Sequence, residues 1–170
     1  MYLQILTSKS SWLFNNKKKF LSRLKNVKKI KFINKSQDIS SKANIILVLS
    51  YYKIIPSIFL NKNKHIYVIH DSDLPRGRGM SPLFNQILNG KKNITSTIFK
   101  CEENLDNGKI VFKQKFFYQD TLVYDEIKKK QMINNVVIIK KLLNLFLKNR
   151  IKLKSQKGKA TYFKKISKIK

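Results

Sequence analysis

Residues 43–50, Ala-Asn-Ile-Ile-Leu-Val-Leu-Ser, form an almost unbroken apolar run. A strand with one face in water alternates apolar and polar side chains. A run without that alternation needs cover on both faces. Membrane crossing would take ~18 consecutive apolar residues, far more than this run supplies. What remains is a central strand of a parallel sheet packed between helices, and the flanking segments fit that demand. Tyr-Leu-Gln-Ile-Leu-Thr-Ser (2–8), Val-Lys-Lys-Ile-Lys-Phe-Ile-Asn (27–34) and His-Ile-Tyr-Val-Ile-His (65–70) read as further strands.

Between and beyond them lie helical patterns. In 11–26, Trp12, Leu13, Phe20, Leu21 and Leu24 share one face of a helix. A short helix or turn is expected around Pro56. Residues 81–90 suit a helix with Ser81 as N-cap, Pro82 in the first turn and Gly90 as the stop. Ile-Thr-Ser-Thr-Ile-Phe-Lys and Lys-Ile-Val-Phe-Lys-Gln-Lys-Phe-Phe-Tyr read as two strands joined through Asp106-Asn107-Gly108, a turn signal. A long helix is expected from an N-cap at Thr121 to about Asn149, docking through Ile127, Val136, Ile139, Leu142, Leu143 and Phe146. Its apolar stripe suits core packing or a homodimer contact. The basic stretch beyond Arg150 is only weakly patterned. This order predicts one α/β domain with a mainly parallel sheet. Ligands of such sheets sit beyond the carboxyl ends of the strands.

The net charge of +28 invites a nucleic-acid reading, but composition gives it a blander source. Lysine, asparagine and isoleucine supply 71 of 170 residues, while arginine, the residue favoured for bidentate phosphate contacts, numbers four. Selection for phosphate binding would not also raise isoleucine and asparagine; AT-rich coding would. The single Cys101 rules out an intrachain disulfide framework, and two histidines with nine acidic residues make no case for a metal site. The N-terminus lacks the layout of a cleaved signal, so a cytoplasmic protein without a membrane span is expected.

The carboxyl end of the fourth strand carries the chain's most concentrated chemistry, His70-Asp71-Ser72-Asp73-Leu74-Pro75-Arg76-Gly77-Arg78-Gly79-Met80-Ser81-Pro82. His70 can exchange a proton near neutral pH. Asp71, Asp73, Arg76 and Arg78 bring both charges into a span stiffened by Pro75. Gly77 and Gly79 allow backbone to approach a ligand closely. Taken alone, these residues fit a salt-bridged turn as well as a site.

The ordered set is more specific. His70, Ser72-Asp73-Leu74-Pro75, Arg78-Gly79, Pro82, Ile87 with Gly90, Thr95 and Thr97, and Asp106 with Gly108 and Ile110 resemble the core of the formyltransferase family that uses 10-formyltetrahydrofolate. Ser-Tyr-Tyr-Lys-Ile-Ile-Pro (50–56) resembles that family's segment before the same strand. The likeness covers residues 43–127. It implies a Rossmann-like formyltransferase fold and a catalytic domain over residues 1–150, followed by a basic tail, 151–170. It also implies transfer of a formyl group from 10-formyltetrahydrofolate to an amine. His70 and Asp106 then match the catalytic pair: a histidine can stabilise an oxyanion or shuttle a proton, and a carboxylate can orient it. Ser72, Asp73, Leu74, Pro75, Arg78 and Gly79 match the loop that binds the formyl donor.

Two positions depart from the family. An asparagine expected two residues before the histidine is Val68, and valine cannot donate a hydrogen bond to an oxyanion. Asn85 or a backbone N–H of residues 77–79 could take its place. Asp73 stands where the family commonly has leucine. Together with the Arg-Gly-Arg-Gly-Met-Ser-Pro stretch it resembles the branch acting on amino sugars for surface polysaccharide. A small-molecule amine, a nucleotide-linked amino sugar, is therefore the expected acceptor. Methionyl-tRNA is the second reading, disfavoured by the short segment after the long helix, and a degenerate folate- or nucleic-acid-binding domain is the third. Trp12 is expected in the core or beside the ligand pocket.

Overall fold

The computed structural model describes residues 1–25, 27–119 and 123–166. Its first half alternates strand and helix: β1 (Tyr2–Leu6), α1 (Trp12–Asn15), α2 (Lys17–Leu21), β2 (Lys29–Ile33), β3 (Ile45–Val48), α3 (Ser57–Leu60) and β4 (Ile66–His70). The second half contains β5 (Arg78–Gly79), α4 (Pro82–Leu88), β6 (Asn93–Lys100), β7 (Ile110–Phe117), α5 (Tyr124–Leu147) and β8 (Tyr162–Phe163). Six strands form one sheet in the order β2-β1-β3-β4-β6-β7. Pairings β1–β2, β1–β3 and β3–β4 are parallel, whereas β4–β6 and β6–β7 are antiparallel. The mainly parallel, Rossmann-like α/β fold expected from the sequence is the fold observed.

The apolar run at 43–50 sits where its composition requires. Ile45, Ile46 and Leu47 are fully buried, with odd positions facing one cluster and even positions the other. On one face Leu3, Ile5, Ile45, Leu47 and Ile69 pack against Phe20 and the Val136, Ile139 and Leu142 stripe of α5. On the other, Leu6, Ile46, Val48 and Ile66 pack under Ile39, Ala43 and Ile55. Each large aliphatic side chain buried this way contributes about 1.5–3 kcal/mol.

Several local expectations change. The helix expected over 11–26 is broken at Asn16 (φ −104°, ψ 18°) into α1 and α2, whose side chain instead donates to the Trp12 carbonyl. Ser11 caps α1 by accepting from the Phe14 amide. Ser81 does precede α4 but makes no side-chain cap, because its backbone is left-handed (φ 51°). Asn85 ties that turn instead, donating to the Met80 and Ser81 carbonyls. The expected cap Thr121 lies outside the described residues. At the start of α5, the Val123 amide donates to Glu126. Ile127, Val136, Ile139, Leu142 and Leu143 are buried as expected.

Residues beyond Arg150 pack back onto the domain. Lys154 bridges to Ile110 at the start of β7, and β8 pairs in parallel with β5 inside the loop that follows β4. No described helix is long and apolar enough to cross a membrane.

Candidate active site

The site grows from the carboxyl end of β4, where the parallel part of the sheet meets its antiparallel part. Side chains of Ile66, Val68 and His70 alternate onto one face, and His70 pairs with Thr97 on β6. Thr97 fixes the exit of the strand by donating from Oγ1 to the Ser72 carbonyl at 2.6 Å. His70 is 7% exposed and packs edge-on against Phe99. Its Nε2 lies 2.8 Å from the Gly77 carbonyl and 3.8 Å from Oδ2 of Asp106. Both neighbours are acceptors, so Nε2 carries the proton. The other ring nitrogen, Nδ1, makes no hydrogen bond among the described residues.

Asp106 reaches this position through an unusual turn. Its backbone is left-handed (φ 49°), a conformation that aspartate tolerates better than most residues. Oδ2 accepts from the Gly79 amide at 2.8 Å. Gly108, two residues on, lies against the Lys100 carbonyl so closely that a Cβ would stand 1.7 Å from it. Only glycine lets the turn fold back far enough to bring Asp106 to His70 across 36 residues of sequence.

The loop between these two residues is braced on every side. Gly77 (φ 72°) and Gly79 (φ 96°) take backbone angles that L side chains rarely adopt. Lys113 on β7 ion-pairs with Asp73 at 2.5 Å and donates to the Leu74 carbonyl at 2.6 Å. Arg78 donates from Nη2 to Asn107 and Gln156, while its buried Nε has no partner among the described residues. Ser72, Leu74 and Pro75 are buried and set the course of the loop, with Asp73 and Arg76 on the outside. The structure thus brings together His70, Asp106, Arg78 and Gly79, and keeps the side chains of Ser72, Leu74 and Pro75 beneath the surface.

Val68 sits on the same face as His70, half-buried against the cluster of Leu6, Ile46 and Val48. Neither replacement donor expected from the sequence is free. Asn85 donates its amide to the carbonyls of Met80, Ser81 and Lys164. The amide of Gly77 donates to Oγ1 of Thr161, that of Arg78 to the Thr161 carbonyl, and that of Gly79 to Asp106.

The contacts of several participants emerge only in the folded chain. Asp71 is buried beside His70, and its carboxylate accepts from Ser96 and from Gln131 on α5, both at 2.5 Å. Burial, then the nearby Asp71 charge, pushes the Tyr118 hydroxyl upward. Lys113, Gln156 and Thr161 meet the loop only through tertiary folding; an alternation count on β7 would have marked Lys113 as an outward lysine. Cys101, at the end of β6, is pushed up to about 12 by burial and then by the Asp106 and Glu102 carboxylates, which keeps it a neutral thiol. Trp12 is half-buried against the core and donates from its indole to Asp125. His65 lies at the far end of β4 against Phe146. Among the described residues no three His, Cys, Asp or Glu side chains gather as a metal-ion site.

The family model described as formyl transferase matches residues 9–139. Methionyl-tRNA formyltransferase of Rickettsia felis is 33% identical over 149 residues, covering 86% of this chain and 47% of that protein. The chain spans about half the length of the curated relatives it matches. Among solved structures, methionyl-tRNA formyltransferase from Clostridium thermocellum superposes with a TM-score of 0.73 at 27% identity, covering 99% of this chain and 73% of that one. The N-formyltransferase from Helicobacter canadensis, solved with folinic acid and dTDP-3-aminofucose, shares the fold (TM-score 0.73, 18% identity, 99% and 72% coverage). With the family model spanning most of the sheet and both ends of the His70–Asp106 contact, the chain belongs to the formyl transferase family.

Proposed function

We propose that the protein transfers a formyl group from 10-formyltetrahydrofolate to the primary amine of a nucleotide-linked amino sugar, with His70 and Asp106 as its catalytic pair. The observation that carries this is the braced imidazole at the carboxyl end of β4: Nε2 committed to the Gly77 carbonyl beside the Asp106 carboxylate, with Nδ1 unbonded among the described residues. In the reaction, the acceptor nitrogen attacks the formyl carbon and negative charge builds on the formyl oxygen. Nδ1 takes the proton that the attacking nitrogen must lose, and the imidazolium so formed is held by Asp106. Its Nδ1–H then stabilises the oxyanion or returns the proton to N10 of the folate as the carbon–N10 bond breaks. Tetrahydrofolate and the formamide leave. Arg78, Gly79 and Asp73 edge the loop on which the formyl donor would lie, and Ser72, Leu74 and Pro75 keep its shape.

The sugar acceptor draws support from the Ser-Asp-Leu-Pro-Arg-Gly-Arg-Gly-Met-Ser-Pro loop. A second reading, methionyl-tRNA, draws support from the 33% identity to methionyl-tRNA formyltransferases. Release of tetrahydrofolate, measured with 10-formyltetrahydrofolate and a panel of amino-sugar nucleotides or methionyl-tRNA, separates the two. Turnover with a sugar nucleotide that falls ~10²-fold or more in His70→Ala and Asp106→Ala is expected. Turnover with methionyl-tRNA alone would overturn the acceptor, and full activity in either variant would overturn the catalytic assignment.

A further inference from the structure

The catalytic pair is held by a segment from the other end of the chain. Gln156 donates from Nε2 to the carbonyls of Asp106 (2.8 Å) and Gly108 (3.0 Å), and its Oε1 accepts from Arg78 (2.7 Å). Five residues on, Thr161 accepts from the Gly77 amide, and β8 closes on β5. The Phe163 ring lies where a side chain on Gly77 would be, and its carbonyl accepts from the Met80 amide. One strap thus fastens the Asp106 turn, Arg78 and the backbone on both sides of the Gly77 carbonyl.

The geometry points to Gln156 as a positioning residue: with Thr161, it sets the spacing of His70 and Asp106 by clamping the two backbone segments that hold them. The inference rests on the assignment of those two residues as the catalytic pair. Two features make a clamp necessary. Asp106 keeps a left-handed backbone, which persists only where its surroundings over-determine it. Gly77 and Gly79 give the opposing loop the greatest backbone freedom of any residue type, so its Gly77 carbonyl and Gly79 amide need outside restraint. Gln156 bonds to both sides through a single group: a glutamine has two donors and an acceptor on one rigid amide, matching two carbonyls and a guanidinium. A displacement near 1 Å at the reacting groups can cost up to ~10² in rate.

The test uses the full chain and three variants, Gln156→Leu, Gln156→Glu and Thr161→Val. Gln156→Leu removes all three bonds. Gln156→Glu keeps an acceptor for Arg78 but cannot donate to the two carbonyls. Both should lower kcat about ten- to a hundredfold while KM for the acceptor stays within about twofold, and Gln156→Glu, which keeps the Arg78 bond, should leave KM for the formyl donor within about twofold as well. NMR supplies a readout independent of turnover. The buried Nε2–H of His70 should give a protected resonance, identified by its loss in His70→Ala and by there being only one other histidine. That resonance should broaden or vanish in both Gln156 variants. If Gln156→Leu fails to fold, Thr161→Val, which removes only the partner of the Gly77 amide, must show the same signature. An intact resonance with unchanged kcat overturns the inference. So does wild-type kcat in Gln156→Glu, or kcat, KM and thermal midpoint shifting together. Full turnover in His70→Ala would instead overturn the catalytic pair, leaving the resonance to report on the strap alone.

Discussion

If the proposed mechanism holds, Val68→Asn should speed formyl transfer and slightly lower stability. Val68 lies two residues before His70 on the same face of β4, roughly 6.6 Å back along the strand. Its register partners are Val48 on β3 and Phe99 on β6. An amide at this position points toward the same end of the sheet as the imidazole, so one oxygen can accept from both. In the present site the amides of Gly77, Arg78 and Gly79, and the side chain of Asn85, are committed to protein acceptors. In the proposed mechanism the oxyanion is thereby left with Nδ1–H of His70 as its donor. Adding one pre-aligned donor is worth ~10²–10³ in rate at full alignment, and a gain of at least about tenfold in kcat is expected. Against this, asparagine places a polar group among Leu6, Ile46 and Val48 and suits a central strand poorly, at ~1–2 kcal/mol. For a chain of this size that lowers the thermal midpoint by roughly 2–8 °C. Single-turnover release of tetrahydrofolate at saturating donor, with calorimetry on the same samples, reads both effects. A folded Val68→Asn protein whose turnover is no faster than wild type would refute the view that this site lacks an oxyanion donor.

Two further predictions concern stability. Asp71→Leu leaves the buried hydroxyl of Ser96 and the amide of Gln131 without their acceptor, and should cost about 3 kcal/mol in urea unfolding. Adding Gln131→Leu should recover part of that loss, and a single variant as stable as wild type would contradict the role given to this carboxylate. For Cys101, an unfolded thiol ionises near ~8.5, whereas the folded one is pushed up to about 12. Between those values the folded state binds the extra proton, so its stability is intact below pH ~8.5 and falls as pH rises toward 12. Urea midpoints at pH 8 and pH 10 should therefore fall less in Cys101→Ala than in wild type; equal falls would show that the thiol is not protected.

The fold was legible because burial on both faces leaves a mark at every residue of a strand. The run at 43–50 could not serve as a one-sided strand, and the order of strands and helices around it admitted few topologies. His70, Asp106 and the loop between them were legible too, since rare residue types in a fixed order survive in a sequence otherwise rich in lysine, isoleucine and asparagine. The break at Asn16 and the left-handed Ser81 were not, because a helical pattern of apolar residues does not say where the backbone leaves the helix. Nor were the partners of the loop: Lys113, Gln156 and Thr161 sit in stretches whose local pattern reads as solvated surface or weakly ordered tail. The sheet, the strand end that carries the histidine, and the valine at position 68 can all be read from the residues alone. The packed chain alone reveals which atoms hold His70 and Asp106 in place, and that the amides of Gly77, Arg78 and Gly79 are already committed to Thr161 and Asp106. A hydrogen bond such as that from the Gly77 amide to Thr161, 84 residues on, depends on where the packed chain brings its two segments, and no local pattern records that.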